Sequence, residues 1–209
     1  MTMSALEALL ANPRIWRGPT TTAAPGTNHR PTGWQALDAA LPRQGWPEAG
    51  LVEVLSAVDG LGELSLVLPV LAALSAEERP ILVVAPPYRP YAPAWRRAGI
   101  RLTQLHVIQT AAQDALWAME QALRAGCCGA VLGWPGAVDD RALRRLQVAA
   151  DGGHTLGFVF RPLAAAGAPS PAPLRLCVEA TPTGTAVRIL KCRGSHPPAH
   201  GIPFGRTAH

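Results

Sequence analysis

The chain has 209 residues, 48% of them hydrophobic and 16% charged, which supports one sizeable core and excludes a fully disordered protein. The longest apolar stretch, residues 64–76, is too short to span a bilayer, and the opening MTMSALEALL carries Glu7 without a basic run, unlike a signal peptide. Only Lys191 among 19 basic residues is a lysine, and the net charge of +5 falls entirely within residues 152–209, where six basic groups face Glu179 alone.

In chain order, Ser4-Ala5-Leu6-Glu7 reads as a capping box that opens a short helix to about Ala11, closed by Asn12-Pro13. Residues 17–31 lack periodicity and read as a linker. Apolar runs then alternate with helical patterns. The expected strands are Leu51–Leu55, Ile81–Ala85, Gln104–Ile108, Ala130–Gly133 and Thr155–Phe160, with helices at about 62–76, 91–98, 111–125 and 139–150. Asp139 or Asp140 is placed to cap the last helix. Short apolar strands separated by helices predict a mainly parallel sheet covered on both faces. Residues 163–173 read as a flexible connection. Leu174–Ala180 and Ala186–Lys191 then form a β-hairpin pattern around Pro182-Thr183-Gly184.

The first strand runs through Gly60-Leu61-Gly62 into a helix, the context a phosphate loop requires. The next residue is Glu63, where a nucleotide-binding loop carries lysine. A carboxylate there repels a triphosphate while suiting the helix dipole. The strand Ala130-Val131-Leu132 continues into Gly133-Trp134-Pro135 with no magnesium-binding acid, and Val83-Val84-Ala85-Pro86-Pro87 offers no glutamate to activate water. The expectation is a degenerate site at Gly60, Gly62 and Glu63, with no cofactor, no ATP chemistry and no enzymatic activity.

Cys192-x3-His196-x3-His200 has ligand-like spacing, but Pro197-Pro198 breaks the helix that would align both histidines, so no metal is expected. Cys127 and Cys128 read as small core residues, and His154 as structural. The four cysteines lack a disulfide framework and indicate free thiols of a cytoplasmic protein. Trp134 belongs at the carboxyl edge of the sheet, where open α/β sheets place ligands, and is a candidate partner contact. Arg188, Lys191, Arg193 and Arg206 are candidate contacts to DNA or to an acidic partner.

Thr32-Gly33-Trp34-Gln35-Ala36-Leu37-Asp38, Gly45-Trp46-Pro47 and Leu51-Val52-Glu53-Val54 together resemble the start of a RecA-type core. Leu9 through Gly18 (LLANPRIWRG), Gly60–Leu64, Pro90–Trp95 and Leu190–Gly194 resemble the ImuA family of translesion-synthesis accessory proteins. Ala130–Trp134 and Ala149–Pro162 (AADGGHTLGFVFRP) resemble the SulA family of cell-division inhibitors.

The ImuA resemblance implies a RecA-like α/β fold and SOS-induced mutagenesis. It also implies binding to the polymerase-like ImuB and an error-prone polymerase; RecA is a further expected partner, and the basic C-terminal residues add weakly held single-stranded DNA. Leu6, Leu9, Leu10 and Trp16 then serve as partner contacts on an N-terminal arm. The alternative implied by SulA is inhibition of division by binding FtsZ. The expected organisation is a helical arm at 1–16, a linker at 17–31, a RecA-like domain at 32–193 and a basic flexible tail at 194–209.

Overall fold

The computed structural model describes residues 30–182, 184–195 and 197–205. The expected arm, with Leu6, Leu9, Leu10 and Trp16, lies outside the described residues, as does Arg206. Eight strands form one sheet: β1 (Gly50–Ser56), β2 (Ile81–Val84), β3 (Leu105–Ile108), β4 (Ala130–Gly133), β5 (Leu156–Pro162), β6 (Leu174–Thr181), β7 (Gly184–Cys192) and β8 (Ile202–Phe204). Their order is β3-β2-β4-β5-β1-β6-β7-β8. The first six in that order run parallel, and β7 and β8 add antiparallel.

Because successive strand residues face opposite sides, each side of the sheet builds its own core. Val52, Val54, Leu132, Phe158 and Leu176 pack with α1 (Gln35–Ala40), α2 (Glu63–Ala76), α3 (Ala92–Arg97) and Trp46. Leu51, Val131 and Val159 pack instead with α4 (Ala112–Ala125) and α5 (Asp140–Gly152). The β1 run Gly-Leu-Val-Glu-Val-Leu-Ser is buried throughout, as a central parallel strand between β5 and β6 must be. Asp139 caps α5 by accepting from the Ala142 amide at 2.7 Å.

Two segments differ from the sequence expectation. Residues 163–173 were expected to be flexible, yet they open with a 3-10 turn, Leu163–Gly167, and the carbonyls of Ala165 and Ala166 in it and of Ala168 just after it accept from Arg175. The tail was likewise expected to be flexible, yet Ile202–Phe204 pairs with Thr185–Val187. The anchor is Phe204, whose ring meets Trp34 edge-on at 5.5 Å, while the Trp34 indole donates to the Leu66 carbonyl at 3.0 Å. A three-residue strand carries too short a pattern to stand out beside Pro197, Pro198 and Pro203.

Candidate functional site

The loop after β1 closes on itself. Gly62, at φ 114°, turns the chain into α2 in the left-handed region that glycine tolerates. The Glu63 carboxylate then folds back over the loop, accepting from the Gly60 amide at 2.9 Å and the Gly62 amide at 3.1 Å. Glu63 is buried, so the backbone N–H groups that would cradle a phosphate already hold an internal anion at a helix N-terminus. Trp134 sits at the carboxyl end of β4 and stacks on Phe160 at 4.4 Å with an interplanar angle of 13°. It is half-buried against the core, and its indole nitrogen is buried without a partner among the described residues.

A second polar cluster was not anticipated. Glu53 in β1 is fully buried and receives Arg161 at 2.8 Å, Arg175 at 3.5 Å and the Ser170 hydroxyl. Arg161 also donates to the Val138 carbonyl at 2.9 Å, and Lys191 to the Ser170 carbonyl at 2.7 Å. Burial is the largest cause holding the Lys191 ammonium below its ordinary pKa, followed by the neighbouring Arg193 and Arg175. The visible signal was a charge inside each of three apolar runs: LVEVL, FVFRP and LRLC.

This cluster also changes the reading of the basic C-terminal region. Arg188 donates from Nε to Glu179 at 2.9 Å and from a second nitrogen to the same oxygen, so its charge is locally matched. Lys191 is committed to the strap at Ser170, and Arg193 is exposed. The described candidates therefore do not form one basic face. Facing strands bring Arg188 against Glu179, nine residues away in the sequence.

The opposite edge of the sheet is different. β3 pairs only with β2 among the described residues, and His106, Val107 and Ile108 are exposed. On one side a groove of about 590 Å³ is lined by Leu102, Leu105, Val107 and Pro90. On the other, a groove of about 610 Å³ is lined by Ile108, Trp117, Ala118 and Asp114. Trp117 is 63% exposed. Natural edges are usually blunted by lysine, proline or a bulge, and Leu-His-Val-Ile carries none of these. Sequence reading took β3 as an ordinary core strand because apolar composition alone does not reveal an edge.

Cys128 is buried and its thiol is pushed up to about 11, chiefly by desolvation, whereas Cys127, expected in the core, is exposed. Among the described residues no group of three His, Cys, Asp or Glu side chains could hold a metal ion, and His196 lies outside them. No described helix is long and apolar enough to cross a membrane.

The family model "Cell division inhibitor SulA" matches residues 52–157. Cell division inhibitor SulA of Edwardsiella piscicida is 33% identical over 129 residues, covering 59% of this chain and 77% of the relative. Those of Pectobacterium atrosepticum and Pectobacterium carotovorum subsp. carotovorum are 36% and 34% identical, over 46% and 49% of this chain. The chain matches 59% and 62% of these two relatives' lengths, less than two thirds. The crystal structure of SulA from Pseudomonas aeruginosa is 28% identical, covering 53% of this chain and 97% of that chain at a TM-score of 0.45.

These matches correct the translesion-synthesis reading, with its ImuB, polymerase, RecA and DNA partners: the matching family and relatives are division inhibitors. The residues that the family model matches, 52–157, hold the filled loop and the β3 edge. The chain belongs to the SulA family of cell division inhibitors.

Proposed function

We propose that the chain is a non-enzymatic, SOS-induced, cytoplasmic inhibitor of cell division that binds FtsZ through the open edge of β3. The observation that carries this reading is an unprotected edge strand with apolar grooves on both sides, inside the span that matches the family. An added strand gains backbone hydrogen bonds from such an edge, while alternate side chains enter the two grooves. The Glu63-filled loop supports the non-enzymatic half, because the seat for a phosphate is already taken. We read the sheet as a RecA-type core kept for its surfaces.

Sedimentation of FtsZ polymers formed with GTP tests the reading. The wild-type chain lowers the pelleted fraction in proportion to its concentration. Val107→Asp combined with Ile108→Asp puts two charges where apolar contact is needed, and raises the half-inhibiting concentration at least tenfold. Both side chains are exposed, so the fold tolerates the change. A folded double variant that inhibits as well as wild type removes β3 from the interface. Absence of inhibition by the wild-type chain overturns the functional reading itself.

A further inference from the structure

The loop between α4 and β4 reads Gly126-Cys127-Cys128-Gly129, and both of its ends are fixed. Gly126 turns the chain at φ 68°, where an added side chain would meet the Gly153 carbonyl oxygen at 2.9 Å. The Gly129 amide donates to the Pro80 carbonyl at 2.7 Å, and a Cβ there would stand 2.8 Å from the Arg79 side chain. These close approaches hold two adjacent thiols side by side, with their sulfur atoms 3.9 Å apart.

The two thiols have opposite surroundings. Cys127 is exposed, whereas Cys128 is buried in the core that also holds Met119, Leu123 and Val131. Burial keeps the Cys128 thiol protonated, and the neighbouring Cys127 adds to that effect. The thiolate of the pair is therefore Cys127, the sulfur that solvent reaches. Arg79 donates to the Cys128 carbonyl at 3.4 Å, which places a cation beside the pair. With no third His, Cys, Asp or Glu in reach among the described residues, the pair lacks the ligands of a structural metal centre.

A thiolate in solvent with a second thiol held behind it is the arrangement of an attacking and a resolving cysteine. We propose that Cys127 and Cys128 form a reversible oxidation site for hydroperoxides, closing to a disulfide between adjacent residues. The Cys127 thiolate attacks one peroxide oxygen, forming an S–O bond as the O–O bond breaks. The departing oxygen takes a proton from solvent and leaves as water or an alcohol, and Cys127 becomes a sulfenic acid. The Cys128 sulfur then loses its proton and attacks Cys127; the S–O bond breaks and water leaves. Two thiols and one peroxide thus give one disulfide, one water and one further water or alcohol. Adjacent α-carbons lie about 3.8 Å apart, closer than the roughly 4.4–6.8 Å of ordinary disulfides. Such a bond is easily reduced, so a dithiol reductant restores both thiols and the pair stays reduced until peroxide arrives. Cys177 and Cys192 are poorer targets, because burial is the largest cause raising both thiols above their ordinary pKa.

The test treats the full chain with hydrogen peroxide at a dose that half-oxidises free glutathione. N-ethylmaleimide in denaturant and tryptic mass spectrometry follow. Cleavage after Arg124 and Arg141 puts Cys127 and Cys128 on one peptide, apart from the other cysteines. In wild type that peptide loses both maleimide labels and two hydrogens, dithiothreitol restores them, and Cys177 and Cys192 stay labelled. Cys128→Ser removes the resolving thiol, so dimedone, which traps sulfenic acid, labels Cys127 roughly fivefold more than in wild type. Cys127→Ser leaves Cys128 labelled. Retention of both labels in wild type overturns the site, as does equal loss of label at Cys177 or Cys192. Dimedone labelling of wild type as strong as that of Cys128→Ser overturns the resolving role. A disulfide joining Cys127 of two chains overturns the intramolecular form.

Discussion

Glu53→Gln should lower the stability of the chain by about 3–5 kcal/mol, because it strands two buried guanidinium groups. Arg161 and Arg175 have side chains only 5% and 8% exposed, and arginine cannot escape by losing its proton. Glu53 is their shared counter-charge at zero exposure. Their remaining partners are the carbonyls of Val138, Ala165, Ala166 and Ala168, which orient the two groups and carry no net charge. Typical domains are stable by only 5–15 kcal/mol, so this loss is large. Urea denaturation checks it: the midpoint falls sharply while the slope with denaturant stays constant.

A comparison separates burial from mere pairing. Arg188→Ala, which breaks the partly exposed pair with Glu179, should cost no more than about 1 kcal/mol. Replacing Glu53, Arg161 and Arg175 together by methionine should recover most of the sheet's stability, since no buried charge is then left alone. The triple variant also loses the donors that hold the 163–173 strap, so protease cleavage should appear there. A Glu53→Gln protein within 1 kcal/mol of wild type would show that both guanidiniums find other acceptors.

The parallel body of the fold was legible because its signals are local. Five apolar runs bounded by helical patterns became β1 to β5, and Pro182-Thr183-Gly184 marked the turn between β6 and β7. The same locality explains what was missed. β8 is held by contacts between Phe204, Trp34 and Thr185, which lie far apart in the chain. The strap residues Ala165, Ala166 and Ala168 are held through their backbone carbonyls, so their side chains carry no trace of it.

The candidate site divides along the same line. Glu63 was recognised as the wrong residue for a triphosphate because its position after Gly62 fixes its chemistry. That its two oxygens would take the Gly60 and Gly62 amides required the loop geometry. The exposed β3 edge was invisible, because Leu105–Ile108 reads as a buried strand in any parallel sheet and only the strand order places it last. The basic C-terminal region was over-read for a related reason. Counting charges along the chain ignored that β6 and β7 set Arg188 beside Glu179, and Lys191 beside the strap.

The filled loop itself should be exchangeable. Glu63→Ala removes a buried carboxylate that accepts two backbone hydrogen bonds at the start of α2. Each hydrogen bond to a charged group contributes about 1.5–3 kcal/mol, and the dipole adds up to about 1 kcal/mol, so a total loss of about 3–5 kcal/mol is expected. The vacated amides then form an open anion seat, as at other helix N-termini. Inorganic phosphate should therefore raise the melting temperature of Glu63→Ala more than that of wild type, whose seat is occupied. Stabilisation by a ligand follows the logarithm of its concentration over its dissociation constant, so a phosphate titration reads the seat directly. Glu63→Lys should behave differently. A cation among N–H donors at a helix start is unfavourable without an anion, so this variant should be less stable than Glu63→Ala in phosphate-free buffer and gain more from phosphate. ATP should remain unhydrolysed in both variants, because neither the end of β4 nor the end of β2 brings an acid to bind magnesium or activate water. Equal phosphate stabilisation of wild type and Glu63→Ala would mean that the carboxylate does not occupy the seat.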